Sequence, residues 1–141
     1  MVVACAEEGE RYGIGIFEDS AVLASHGGTR LESAGRRGFV LVEVDPAAQV
    51  LQGDSLVLTG VRLTLVPPGG TADLASGAVA GAMTPAGTAL LARVIDDLAR
   101  EADGAPPVRA GGPTRGFGLK VRAPAEGTAL IDLECARDDA G

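Results

Sequence analysis

Residues 84–103 read TPAGTALLARVIDDLAREAD, and this stretch decides the fold class. Thr84 can accept a hydrogen bond from the first free N–H groups of a helix, and Pro85 has the fixed φ that suits a first helical position. Gly104, followed by Pro106 and Pro107, supplies the stop. Between these marks Leu90, Leu91, Val94, Ile95 and Leu98 fall on one stripe of the helical wheel, while Arg93, Asp96, Asp97 and Arg100 fall elsewhere. The pattern predicts an amphipathic helix with one face for burial.

The sequence around it supplies a sheet for that face to cover. Val2 to Ala6, Tyr12 to Phe17 and Ala21 to Ser25 read as short strands of an N-terminal meander, with Glu18-Asp19-Ser20 as a turn. Gly27 to Gly38 is polar and rich in Arg and Gly, and reads as a loop. Phe39 to Val44 is a strand with Val40, Val42 and Val44 on one face and Phe39, Leu41 and Glu43 on the other, ended by Asp45-Pro46. Ser55 to Val66 is the longest β run. Val57, Val61, Leu63 and Leu65 alternate with Arg62 and Thr64, and Gly60 marks a bulge that bends the strand or shifts its face. Ala72 to Met83 is made of small residues and reads as a short helix packed through Gly77 and Gly81.

The C-terminal strands, Arg115 to Ala123 and Thr128 to Cys135, carry their own register. Phe117, Leu119 and Val121 must share a face with Ala129, Ile131, Leu133 and Cys135, so odd positions pair with odd. That register sets Lys120 and Arg122 against Asp132 and Glu134, and opposite charges across a ladder contribute roughly 0.2–1 kcal/mol per pair. The expected fold is α+β in one domain spanning 1–141: a mostly antiparallel sheet of six or seven strands covered by one long amphipathic helix at about 84–103, with a short small-residue helix at 72–83.

Composition narrows the function classes. The chain has 141 residues, 46% of them hydrophobic but only 3% aromatic and none Trp, so its core is built from Val, Leu, Ile and Ala. Its 19 acids against 12 bases leave a net charge of −7, spread along the chain. Neither nucleic acid nor an anionic membrane is an expected partner, because both need a basic face, and base stacking needs aromatics. Arg outnumbers Lys eleven to one, which suits the codon usage of a GC-rich bacterial genome. The N-terminal residues lack a basic segment followed by a signal-length apolar run, so a soluble cytoplasmic protein is expected. Cys5 and Cys135 read as buried reduced thiols in that compartment.

Few residues suggest chemistry. Gly53-Asp54-Ser55-Leu56 matches the four residues that name the GDSL hydrolases, whose serine is a nucleophile and whose histidine comes late in the chain. Here the only histidine is His26, upstream of Ser55, so that chemistry is not expected. Gly13-Ile14-Gly15 has Glu18 where a dinucleotide fingerprint needs glycine. One histidine and two distant cysteines make no zinc set, and no calcium loop is present, so neither metal nor cofactor is expected. His26, in Ser25-His26-Gly27-Gly28, has the residue type of a general base, with Glu18 and Asp19 as the nearest carboxylates. Arg109 and Arg115 bracket flexible backbone and suit an anion.

This poverty of catalytic groups beside apolar strands favours a small binding or assembly module acting through a homo-oligomer or a protein partner. The alternative is a small metabolic or biosynthetic enzyme. In it Glu18, Asp19 and His26 carry acid–base chemistry, and Arg109 and Arg115 hold a small anionic metabolite.

Overall fold

The computed structural model describes residues 9–45, 47, 49–52, 55–103, 117–125 and 127–136. The N-terminal run Val2 to Ala6, Cys5 with it, and the connector around Arg109 and Arg115 lie outside these. In chain order the elements are β1 (Tyr12–Ile16), β2 (Ser20–Ser25), a 3-10 turn (His26–Gly28), β3 (Arg30–Gly35), β4 (Phe39–Glu43), β5 (Gln49–Gln52) and β6 (Ser55–Val66). They continue as β7 (Thr71–Asp73), β8 (Val79–Ala80), α1 (Pro85–Asp103), β9 (Phe117–Ala125) and β10 (Thr128–Ala136). Mixed α and β structure with antiparallel pairing is as expected, but the strands form two sheets and not one. A six-stranded sheet runs β1-β4-β6-β10-β9, with β5 also on β6, and a four-stranded sheet runs β2-β3-β7-β8.

The helix has the expected start. Thr84 Oγ1 accepts from the Gly87 N–H at 3.1 Å, and the Thr88 N–H donates to the Thr84 carbonyl at 3.0 Å. Leu91 is buried and Leu90, Val94 and Ile95 are half-buried, while Arg93, Asp96 and Asp97 are exposed. Leu91 joins Val40, Val42, Val44, Leu58, Val61, Leu63, Leu65, Ala129 and Ile131 in one core cluster, with Met83, Leu90 and Ile95 packed on it. The helix therefore covers one face of the six-stranded sheet.

β4 shows why a second sheet exists. Phe39, Val40, Leu41 and Val42 in succession are buried, and Val44 beyond them is buried too. The even residues face the helix cluster, while Phe39 and Leu41 join Val66, Leu31 of β3 and Ala72 of β7 in a separate cluster. Tyr12, Val22 and Leu74 pack against this second cluster, and the Tyr12 hydroxyl donates to the Leu74 carbonyl at 3.0 Å. The second sheet lies over the β4 end of the face that the helix leaves open.

Three short connections carry the chain between the sheets, β1 to β2, β3 to β4 and β6 to β7, and they are stitched to one another. The Arg36 N–H donates to the Asp19 carbonyl at 3.1 Å, and the Ser33 N–H donates to the Gly70 carbonyl at 2.9 Å. Gly38 has φ +82, and a Cβ there would collide with the Val66 carbonyl oxygen, so only glycine lets the β3–β4 turn pass that close. Within the expected N-terminal meander, Tyr12–Phe17 and Ala21–Ser25 do not pair with each other, because β1 pairs with β4 while β2 pairs with β3. Asp19, at φ 58, turns the chain out of one sheet and into the other.

Two further expectations are corrected. The Arg-rich stretch after Gly28 contains strand β3, whose inward Leu31 and Ser33 alternate with exposed Arg30 and Glu32. Ala72 to Met83 is not a helix: it holds the end of β7, a turn and β8. Asp73 Oδ1 accepts from the N–H groups of Ala75 at 2.8 Å and Ser76 at 3.2 Å, which fixes a side-chain-capped turn. Gly77 and Gly81 have φ +74 and +144, outside any right-handed helix.

β6 spans the expected residues, and its bulge does shift the face. Ile131 pairs with Val61 but Leu133 pairs with Leu58, so Thr59 and Gly60 together oppose Asp132. Gly60 has φ +68, and its N–H, free of the ladder, donates to Asp132 Oδ1 at 2.8 Å. Leu58 before the bulge, and Val61, Leu63 and Leu65 after it, are buried, whereas Val57 is half-buried. The C-terminal hairpin has the expected odd-to-odd register, with Val121 opposite Ile131, Leu119 opposite Leu133 and Lys120 opposite Asp132. Arg122 instead stands opposite Leu130 and Glu134 opposite Gly118, so one of the two oppositely charged pairs is in register.

The face switch predicts an inverted cost of truncation. Leu58→Ala is expected to destabilise by about 2–5 kcal/mol, and Val57→Ala by roughly 1 kcal/mol, read as shifts in the urea midpoint at constant m. Ser33, 3% exposed, has a hydroxyl with no hydrogen-bond partner among the described residues. An unpaired buried polar group costs about 1–3 kcal/mol, so Ser33→Ala is expected to raise the urea midpoint.

Candidate functional site

The strand β2 carries the residues that matter most. It starts from the exposed Glu18-Asp19 turn and ends at the exposed His26-Gly27-Gly28 turn, so it separates the sequence-expected acids from the histidine by its whole length. At about 3.3 Å per residue that is roughly 20 Å. Within one copy the structure does not bring Glu18 or Asp19 to His26, and both ends lie on open surface. Arg109 and Arg115 lie outside the described residues. Ser55 opens strand β6 opposite Gln52 and does not sit on a turn into a helix.

The group that meets His26 is its neighbour. Ser25 Oγ lies 3.0 Å from His26 Nδ1, in a hydrogen bond whose direction follows the imidazole tautomer. The Thr29 hydroxyl donates to the His26 carbonyl at 2.9 Å. His26, Gly27 and Gly28 have φ 53, 69 and 88, three consecutive left-handed residues. That conformation is natural for the glycines and costs a side-chain-bearing residue about 1–2 kcal/mol. Sequence reasoning missed the Ser25 contact because it depends on this backbone twist at His26.

The second feature is apolar and lies on β1 and β2. Ile14 and Ile16 are 37% and 55% exposed, and Leu23 is 58% exposed. Ile14 stands beside Leu41 and Ile16 beside Phe39 in the ladder, so both continue the apolar face under the second sheet, beyond its cover. Each of these strands is an edge: among the described residues β1 pairs only with β4, and β2 only with β3. One rim thus offers unpaired backbone N–H and C=O groups together with large apolar side chains.

At the start of β1 the surface is polar and tied down. Arg11 Nη2 lies 2.8 Å from Glu43 Oε1, and its guanidinium stands 5.4 Å from the Tyr12 ring centre. The hydrogen bond with Glu43, aided by nearby charges, raises the Arg11 pKa above its ordinary value. This pair caps the rim and does not extend its apolar surface. Among the described residues no group of three or more His, Cys, Asp or Glu is placed to hold a metal ion, and no helix is long and apolar enough to cross a membrane.

Comparison with protein-family models, curated proteins and solved structures returned no match. Function is therefore argued from this geometry.

The left-handed His26 gives a direct test of stored strain. His26→Gly is expected to stabilise the protein by about 1 kcal/mol, measured by urea unfolding, because glycine meets φ 53 without a Cβ penalty.

Proposed function

We propose that this protein is a small binding or assembly module, acting through a homo-oligomer or a protein partner at the rim formed by β1 and β2. The observation that carries this reading is the placement of Ile14, Ile16 and Leu23 on two strands whose outer edges have no strand partner among the described residues. An exposed edge strand is a template for pairing, and a neighbouring apolar side chain adds burial to the backbone hydrogen bonds. Elsewhere the described surface offers few comparable groups. Val79 on the two-residue strand β8 is the remaining large apolar side chain that stands exposed.

The enzyme reading draws support from the Ser25–His26 hydrogen bond. Glu18 and Asp19 stand at the other end of β2, and among the described residues no hydrogen bond or ion pair joins a carboxylate to that pair. A small anionic metabolite therefore has no assembled acid–base site among the described residues, which is why the binding module is preferred.

Native mass spectrometry of protein purified gently from its own host tests the proposal. The expected result is a mass above the monomer or a retained protein partner, with Ile16→Ser or Leu23→Ser weakening that association about tenfold, or about 1.4 kcal/mol, according to which strand of the rim carries it. A bare monomer with no retained protein there, together with a monomer at about 1 mM by sedimentation, overturns it.

A further inference from the structure

We infer that β2 pairs with β2 of a second copy of this chain, antiparallel about a two-fold axis, joining two four-stranded sheets into one continuous sheet. The inference rests on the assembly reading and names both its partner and its strand.

The strand itself is built without the usual obstacles. Ser20–Ser25 reads SAVLAS and contains no charge, proline or glycine. Natural edge strands are commonly blocked by lysine, proline or a bulge, and β2 has none of these. Ala21 and the last three residues, Leu23, Ala24 and Ser25, are exposed, so the distal half is open on both of its faces. A two-fold axis perpendicular to a sheet keeps each face on its own side, so residues of like parity oppose one another across the axis. The pairing then centres on Val22 against Val22 or on Leu23 against Leu23.

The groups at the two ends of β2 suit a second copy in the antiparallel sense, because carboxylates accept hydrogen bonds and an imidazole N–H donates one. β2 is preceded by Glu18 and Asp19 and followed by His26. Antiparallel self-pairing sets the acidic turn of each copy beside the histidine turn of the other, twice by symmetry. Parallel pairing would set acids beside acids. The flanking charges are placed behind these ends. Arg36 and Arg37 lie on the β3–β4 turn, their N–H groups bonded to the Asp19 carbonyl and to Ser20 Oγ, and Glu32 stands opposite Leu23 on β3. At the histidine end Arg30 stands on β3 opposite Ser25, with Asp73 of β7 directly across from it. The groups separated within one copy thus meet across the two-fold axis.

The contact is small. Six residues of strand fall short of the roughly 1,200–2,000 Å² that stable complexes bury, and each copy carries a net charge of −7. The dimer is therefore reversible and concentration-dependent.

Sedimentation velocity on the full chain, from about 10 µM to about 1 mM, tests this. The wild-type protein is expected to move from monomer towards dimer across that range. Leu23→Lys, at an exposed position, is expected to weaken dimerisation at least tenfold. Glu18→Lys and His26→Asp are each expected to weaken it, and an equimolar mixture of the two is expected to recover dimer, because lysine then meets aspartate at one end and His26 meets Glu18 at the other. Dimer that persists in Leu23→Lys overturns the inference and leaves the assembly reading standing on another surface. A wild-type monomer at every concentration overturns it too, and leaves only a foreign partner for that reading. A Glu18→Lys and His26→Asp mixture that stays monomeric overturns the assigned pairing.

Discussion

Phe39 to Val42 must find cover on both faces at once, and the rest of the structure follows from that demand. A strand with alternating polar residues needs one layer against it; four consecutive buried apolar residues need two. The helix Pro85–Asp103 supplies the first layer over Val40, Val42 and Val44. Among the described residues no second amphipathic helix is present, and β3 and β7 supply the second layer over Phe39 and Leu41. Removing either cover would leave large apolar side chains in water at roughly 1.5–3 kcal/mol each, so β4 depends on both layers.

Covering β4 from both sides restricts how the chain can connect. β1, β4 and β6 are neighbours in one sheet, and β2, β3 and β7 are neighbours in the other, so each pair is linked by a short turn at the same side. Turns crowded together approach backbone to backbone, and this is where positive φ accumulates, at Asp19, Gly35, Gly38 and Gly69. The constraint also explains the rim. Once β1 and β2 are parted into different sheets, each is left as an edge instead of forming a hairpin with the other. The open edges are a consequence of satisfying β4.

Legibility in the sequence tracked how local the deciding interaction was. The helix start was readable because Thr84 caps with its own side chain within one turn. The hairpin register was readable because alternation on both strands has a single solution. β3 was not, because Ser33 occupies an inward position where an apolar residue would have shown the alternation, and Arg30 and Glu32 dominate the composition. Ala72 to Met83 has helix-compatible composition, yet its fate is set by Asp73 capping its own turn and by glycines in left-handed backbone. At β6 the glycine was visible, but which of Val57 and Leu58 turns inward depended on Asp132, seventy-two residues away, accepting the free N–H. The separation of Glu18 from His26 was hidden for the same reason: nothing in Ser20–Ser25 alone tells a turn-flanked hairpin strand from one that changes sheet.

An acidic protein has a simple way to stay monomeric, which is to place its charges along its edges. This chain does the opposite at β2. Its acids stand just before the strand, its histidine just after it, and the six residues between are neutral. Long-range repulsion between two copies at −7 each is screened over about 8 Å at physiological salt. Contact at β2 is governed instead by what lies within that distance: Glu18 and Asp19 with Arg36 and Arg37 beside them at one end, His26 and Arg30 at the other, and Glu32 behind the strand. Antiparallel pairing sets the carboxylate acceptors of each copy beside the imidazole of the other. The same backbone choice at Asp19 that serves the core of β4 therefore also sets the polarity of the free edge.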